Sequence, residues 1–111
     1  MDGALSLHRG HLPPDADGPD DGEVHVDLAS TAAFRVEHIS SGRVSTPVEF
    51  LQLGDEWVVV LEGSAILEID EERVELGPGD WVLVPGSRPH RLLRVEPGTR
   101  WLAVHGTTPP T

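Results

Sequence analysis

Two side chains at the borders of apolar segments carry the clearest potential for chemistry in this sequence. Glu56 opens the apolar run Trp57 to Leu61, and His90 follows the apolar run Trp81–Val84 after a short proline-containing turn. A carboxylate and an imidazole that meet in a fold can act as acid and base toward a bound substrate. The same two groups are also ligands of divalent first-row metals. The pair therefore indicates either proton transfer or metal binding.

His105 is a third candidate, and its predicted position comes from counting across a turn. Two apolar segments, 90–95 and 100–105, flank Glu96-Pro97-Gly98-Thr99. If Pro97-Gly98 is a two-residue hairpin loop, His90 lies directly opposite His105, with Cβ atoms about 5 Å apart. Pro-Gly, however, favours a type II turn, whereas tight hairpins prefer the primed types. A register shift of one residue would turn His105 away from His90.

The composition excludes several other kinds of site. The chain of 111 residues has no cysteine, no tyrosine and no lysine, which excludes disulfides, thiolate ligands, cysteine nucleophiles and lysine Schiff bases. A formal net charge of −11 argues against a nucleic-acid partner, because phosphate binding needs a basic surface. The apolar runs fall far short of the roughly 20 residues that span a bilayer, so we expect a cytoplasmic protein without a membrane partner.

Period-two alternation between Glu23 and His105 predicts an all-β fold. Valine, leucine and phenylalanine alternate with polar residues near Val24 and Phe34, and short apolar segments then follow at close intervals. Glycine, proline and aspartate separate these segments, as in Gly77-Pro78-Gly79-Asp80, and no segment has both the length and the period of a helix. Many short strands with regular turns indicate an antiparallel sandwich or barrel.

The two segments that contain Glu56 and His90 resemble the paired signature of the cupin superfamily, in its small single-domain form. Glu56 and Gly63 match the end of the first cupin motif, and Gly79, Pro85 and His90 match the second. Ser87 and Arg94 replace a glycine and an asparagine of the second motif. The resemblance implies an antiparallel jelly-roll barrel, that is, a double-stranded β-helix, related to RmlC-like proteins.

The resemblance also implies a divalent metal at the mouth of the barrel, held by two histidines and the glutamate of the first motif and by the histidine of the second. The two histidine positions of the first motif fall here on Phe50 and Gln52, so that Glu56 and His90 alone carry over. His105 from the counted hairpin would restore a two-histidine, one-carboxylate set suited to Fe, Mn, Ni or Zn. Gln52 could add an oxygen ligand.

Three functions remain open at this point. The first is metal binding, with an isomerase, lyase or oxygenase reaction on a small organic acid. The second is a metal-free module that binds or senses a small molecule in a pocket made apolar by Phe50. The third is a metal-free enzyme in which His90 and Glu56 act as base and acid. Arg94 belongs to a cluster of four arginines within residues 88–100 that could attract an anionic ligand.

The organisation of the chain follows from its composition. Residues 1–21 are rich in proline, glycine and aspartate and are predicted to be a disordered tail, residues 22–107 form the barrel, and residues 108–111 form a short tail. The resemblance also implies a homodimer, because small cupins commonly pair through strands outside the motif segments, here those of Val24, Val26, Phe34 and Val36. Edge strands left open would be liable to aggregate.

Overall fold

The computed structural model describes residues 7–13, 19–44, 47–50 and 53–106, with Phe50 described by its backbone alone. The described residues form nine β-strands, and every strand pairs with its neighbours in antiparallel fashion. The strands are β1 (Glu23–Ser30), β2 (Phe34–Ser41), β3 (Val48–Phe50), β4 (Glu56–Glu62), β5 (Ala65–Ile69), β6 (Glu72–Leu76), β7 (Trp81–Val84), β8 (His90–Val95) and β9 (Thr99–Gly106).

Two sheets face each other around one core. The first sheet has the strand order β1-β2-β9-β4-β7 and the second the order β3-β8-β5-β6. Both contribute inward-facing side chains to a single buried cluster, so the prediction of an all-β jelly-roll barrel is confirmed. Nowhere in the described ranges is there a helix long and apolar enough to cross a membrane. The buried cluster comprises Ile39, Val58, Val60, Ala65, Leu67, Leu76, Leu92, Val95, Trp101 and Ala103.

The turn Gly77-Pro78-Gly79-Asp80 leads the chain into β7, the edge strand of the first sheet. Asp80 N donates to Gly77 O at 2.9 Å, and Gly79 has a φ of +86°, as the third residue of a type II turn requires. Proline at the second position presets the other half of this geometry. Ser87, where the second cupin motif has glycine, also has a positive φ of 60°, which explains why glycine suits that position.

The counted hairpin between β8 and β9 is wrong. Thr99 N does donate to Glu96 O at 3.1 Å, but Gly98 has a φ of +90°, so that the loop is a type II turn rather than a primed one. A type II turn splays the strands that it joins. Accordingly β8 enters the second sheet and β9 the first, and His90 and His105 are not cross-strand partners.

Strands β1 and β2 direct their alternating polar side chains toward the interior of the barrel. Arg35 and Glu37 line an interior cavity, and Glu37 is only 5% exposed. The apolar residues between the polar ones point outward, and Val24 and Val26 remain 48% and 40% exposed. Over residues 23–27 and 34–37 the two strands therefore give the barrel a polar inner wall and an apolar outer wall, whereas Ile39 of β2 faces the core.

Candidate functional site

One cavity of about 260 Å³ lies between the two sheets. Its floor is apolar and its upper wall carries carboxylate, imidazole and guanidinium groups, an arrangement common in sites for small organic molecules. The floor consists of Ile39, Val58, Leu67, Val84, Leu92 and Trp101. The polar wall consists of Glu23, His25, Arg35, Glu37, Glu56, His90 and His105.

Glu56 and His90 meet across the cavity from opposite sheets. Glu56 is the first residue of β4 and His90 the first residue of β8, and His90 Nε2 lies 3.5 Å from Glu56 Oε1. His90 Nδ1 donates to Arg88 O at 3.3 Å, so Nε2 can donate to Glu56 only when the ring is the imidazolium. The hydrogen bond to Glu56 raises the pKa of His90 against the opposing effect of burial, and the Arg88 carbonyl adds to the rise.

His105 joins the same site from β9. It pairs directly with Glu56 on β4 and with Arg35 on β2, which puts the three side chains on one face of the first sheet. Its Nε2 lies 3.9 Å from Glu56 Oε2 and 2.9 Å from Glu37 Oε1. The shorter distance identifies Glu37 as the hydrogen-bond partner of His105.

Glu37 is the centre of the polar wall. Besides His105, its oxygens accept hydrogen bonds from Arg35 Nη1 at 2.9 Å and His25 Nδ1 at 3.2 Å. Burial raises the pKa of Glu37, but the hydrogen bonds from His105, His25 and Arg35 outweigh burial and lower the pKa below its ordinary value. Arg35 Nη1 also donates to Asp27 Oδ1 at 3.1 Å, so this one nitrogen bridges two carboxylates.

The structure brings together three of the residues singled out from the sequence and separates another. Glu56, His90 and His105 share the cavity, although His105 arrives through its pairing with Glu56 and not through a hairpin with His90. Arg94 is exposed and lines a different surface depression, together with Glu75 and Glu96. It does not reach the cavity.

Phe50 and Gln52 occupy the positions of the two missing motif histidines. The backbone of Phe50 pairs with that of His90, between β3 and β8. Gln52 lies outside the described residues. The proposed oxygen ligand at Gln52 and the apolar contribution of the Phe50 side chain therefore stay predictions.

The arrangement of Glu56, His90 and His105 does not fit a resident metal ion as it stands. A first-row divalent ion holds nitrogen and oxygen ligands at about 2.0–2.2 Å, so the ligand atoms must converge on one point. Here the Nε2 atom of His105 is instead hydrogen-bonded to Glu37. Within the described ranges, no group of three or more histidine, aspartate, glutamate or cysteine side chains is arranged to hold a metal.

Sequence reasoning missed the part of the site that comes from β1 and β2. His25, Arg35 and Glu37 occupy alternate positions on predicted strands, and this pattern is equally typical of a solvated face. The pattern that could have revealed them is the apolar residues between them on both strands. A strand of this kind has one polar and one apolar face, and either face can line the interior of the barrel.

Comparison with known proteins agrees with the architecture. The family model of the cupin domain matches residues 35–105. A protein of Ralstonia eutropha JMP134, provisionally named a mannose-6-phosphate isomerase, is 31% identical, with a TM-score of 0.79 over 90% of this chain and 98% of that one. Among curated protein sequences, none matches.

Two more distant structures share the fold alone. An RmlC-like cupin from Shewanella frigidimarina NCIMB 400 is 16% identical, with a TM-score of 0.74 over 93% of each chain. KdgF from Halomonas sp. is 18% identical, with a TM-score of 0.71 over 89% of this chain and 86% of that one. The segment that the cupin-domain family model matches, residues 35–105, includes strands of both sheets and the cavity residues from Arg35 to His105. This chain belongs to the cupin superfamily.

Proposed function

We propose that this protein binds a small uncharged or cationic organic molecule in the barrel cavity and transfers protons to and from it. The observation that carries the proposal is the presence of two imidazole–carboxylate pairs, His90 with Glu56 and His105 with Glu37, around one cavity with an apolar floor. An imidazole paired with a carboxylate is a common acid–base device of enzymes, and the apolar floor strengthens the electrostatic interactions beside it.

The charges on the cavity wall favour an uncharged or cationic ligand. Among the described residues, three carboxylates, those of Glu23, Glu37 and Glu56, line the cavity, against the guanidinium of Arg35 and the imidazolium of His90. Nη1 of that guanidinium is already bound by Glu37 and by Asp27, which offset its charge. A phosphate or carboxylate group on a ligand would therefore meet more negative than positive charge. An uncharged polyol or an amine would find hydrogen-bond acceptors without repulsion.

The two members of the His90–Glu56 pair have different roles in this proposal. His90 is the proton donor, since its raised pKa keeps the ring protonated to a higher pH than that of an ordinary histidine. Glu56 is the proton acceptor, and Arg88 O fixes the orientation of the His90 ring through Nδ1. Glu37 positions the second imidazole, His105.

A second candidate function is the binding of a divalent metal ion by Glu56, His90 and His105, with a metal-dependent reaction on a small organic acid. Its specific support is that the Nε2 atoms of His90 and His105 approach the two oxygens of the same carboxylate, at 3.5 and 3.9 Å. Metal binding would require His105 to leave Glu37. It would also supply the positive charge that an anionic ligand needs.

Thermal-shift and calorimetric titration with one sugar in three charge states tests the ligand class. Mannose, mannosamine and mannose 6-phosphate differ mainly in charge, and the relative from Ralstonia eutropha makes this sugar a reasonable first choice. Stabilisation by the uncharged or cationic form, but not by the phosphate, is the expected result. Stabilisation by the phosphate alone, in protein treated with a chelator, would refute the charge argument.

Proton transfer can be measured without knowledge of the full reaction. A bound compound incubated with the protein in D₂O should exchange C–H protons for deuterium, as followed by NMR, and His90→Gln should abolish the exchange. His11→Gln is the matched control, because His11 is exposed and lies outside the cavity. Exchange that is equal in wild type and His90→Gln would exclude the proposed donor.

Metal titration separates the two candidates. Chelator-treated protein is titrated with Mn, Ni or Zn, with His90→Ala, His105→Ala and His11→Ala as variants. The metal-free proposal predicts weak binding that neither cavity variant changes. Binding that is tight in wild type and in His11→Ala but lost in both cavity variants would establish the metal site instead. Because the ligating histidines must be deprotonated and the pKa of His90 is raised, such binding would weaken as the pH falls through that raised value toward about 6.5.

A further inference from the structure

We infer that the ligand of the barrel cavity is an amine, and that Glu23 is the carboxylate that binds its ammonium group. The inference rests on the proposed function and narrows its ligand class from uncharged or cationic to cationic. Glu23 is the first residue of β1 and lines the same cavity as Glu56 and His90. Its side chain is only 15% exposed, yet the proposed proton transfer gives it no role.

A chain of hydrogen bonds from the core fixes the position of the Glu23 carboxylate. Trp101 Nε1 donates to Ser41 Oγ at 2.8 Å, and Ser41 Oγ donates in turn to Glu23 Oε2 at 2.7 Å. The direction of this chain is set by its ends, because an indole only donates and a carboxylate only accepts. Ser41 and Trp101 are 0% and 4% exposed, so both donors are held by packing. A carboxylate oriented in this way loses little conformational entropy when a ligand binds.

The described cations of the cavity wall are committed to carboxylates other than Glu23. Arg35 bonds to Glu37, and His90 bonds to Glu56. Glu23 Oε2 instead accepts from an uncharged hydroxyl, that of Ser41. A carboxylate withdrawn from water is stabilised most by a cationic partner. An ammonium group on the ligand would supply that partner and offset the excess of negative charge around the cavity.

The second oxygen of Glu23 lies one imidazole ring away from the acid–base groups. His25 Nε2 is 3.4 Å from Glu23 Oε1, and His25 Nδ1 is 3.2 Å from Glu37 Oε1. The His25 side chain is 43% exposed and its ring is charged only when protonated, so a permanent cation can replace it on Glu23 Oε1. Glu37 in turn bonds to His105. An amine bound at Glu23 can therefore extend over the apolar floor at Trp101 and place a carbon atom beside the acid–base pairs.

Calorimetric titration with one apolar ring in three charge states tests the inference. Cyclohexylamine, cyclohexanol and cyclohexanecarboxylate share a ring that suits the apolar floor, and near neutral pH they differ in charge. Wild type should bind the amine at least about tenfold more tightly than the alcohol, as a charge-assisted hydrogen bond provides. Glu23→Gln should abolish this preference and leave the affinity for the alcohol unchanged. Glu72→Gln is the matched control, because it removes the same charge from an exposed position and should keep the preference.

The tryptophan indole signals give a readout that needs no variant, which covers the case in which Glu23→Gln fails to fold. The chain contains three tryptophans. Trp101 is linked to Glu23 through Ser41, whereas Trp57 and Trp81 do not line the cavity. In NMR titrations of the wild type, cyclohexylamine should shift the indole N–H signal of Trp101 and leave the other two in place. Cyclohexylamine that binds without moving the Trp101 signal would overturn the inference.

The remaining outcomes separate this inference from the proposed function. Amine binding that Glu23→Gln leaves unchanged would overturn the role of Glu23 and keep a cationic ligand. Equal affinity for amine and alcohol would overturn the inference and keep an uncharged ligand. Preference for the carboxylate would overturn both the inference and the proposed ligand class. Failure of all three compounds to bind would overturn the inference as well, while the deuterium-exchange experiment with His90→Gln would decide on proton transfer independently.

Discussion

The substitution Glu37→Gln tests the central feature of the site, the buried carboxylate that organises the polar wall. Glu37 accepts hydrogen bonds from His105 at 2.9 Å, from Arg35 at 2.9 Å and from His25 at 3.2 Å, and is 5% exposed. Hydrogen bonds to a charged group contribute about 1.5–3 kcal/mol each. Glutamine keeps one acceptor oxygen and avoids the desolvation of a carboxylate. We therefore expect a net loss of about 2 kcal/mol, or roughly 10 °C in Tm for a domain of this size.

The pH dependence of this loss follows from the lowered pKa of Glu37. A carboxylate whose pKa is lower in the folded than in the unfolded state stabilises the fold above the unfolded value of about 4.3. That contribution disappears as the pH falls through the folded-state pKa. The difference in unfolding free energy between wild type and Glu37→Gln should therefore be full at pH 7 and shrink below about pH 4.

Urea unfolding at one fixed protein concentration, repeated from pH 7 to pH 3, measures both effects. Glu72→Gln is the matched control, since it removes one carboxylate charge from an exposed position and should change stability by less than about 0.5 kcal/mol. A loss below about 0.5 kcal/mol in Glu37→Gln would refute the view of Glu37 as an organising residue. A loss that does not diminish at low pH would refute its assignment to the charged form.

Three further predictions concern the site and its scaffold. The hydrogen bond with Glu56 raises the pKa of His90. The ion pair therefore contributes to the free energy of unfolding below about pH 6.5, and this contribution is lost as the pH rises through the raised pKa. In urea titrations, Glu56→Gln should flatten this loss of stability with rising pH. Gly63→Ala should cost at least about 2 kcal/mol, because φ is +90° and a Cβ would lie 2.2 Å from Thr99 Oγ1. Val60→Ala should cost about 2–3 kcal/mol, since Val60 is fully buried between the sheets.

The Gly63→Ala and Val60→Ala predictions each have a matched control. Gly22→Ala has a positive φ of 74° but open space around the new Cβ, so it isolates the backbone term and should cost about 1 kcal/mol. Val48→Ala, at a position that is 40% exposed, should cost less than about 1 kcal/mol. The steric argument would be contradicted if Gly63→Ala lost no more stability than Gly22→Ala, and the burial argument if Val60→Ala lost no more than Val48→Ala. An unchanged pH profile of stability in Glu56→Gln would contradict the ion-pair argument.

Local chemistry in the sequence was sufficient to predict the fold class and two members of the site. Alternation and turn residues predicted short antiparallel strands, and a proline followed by a glycine at Gly77-Pro78-Gly79-Asp80 specifies a type II turn by backbone sterics alone. Glu56 and His90 were identified through the resemblance to the cupin motifs, in which the carboxylate and the imidazole stand at fixed distances from such turn residues. These features depend on interactions over a few residues, and the sequence displays them directly.

Tertiary structure decided which side chains share the cavity. Counting placed His105 beside His90 in one sheet, but the turn at Gly98 separates β8 from β9, and His105 reaches the site through its partner Glu56 on β4. The side of β1 and β2 that faces inward was likewise undetermined, because alternation defines two faces and does not say which one the second sheet covers. Long-range strand pairing selected the inner face of the sheet, and no local pattern encodes that pairing. As a result, Glu37 is buried and Trp81 is exposed.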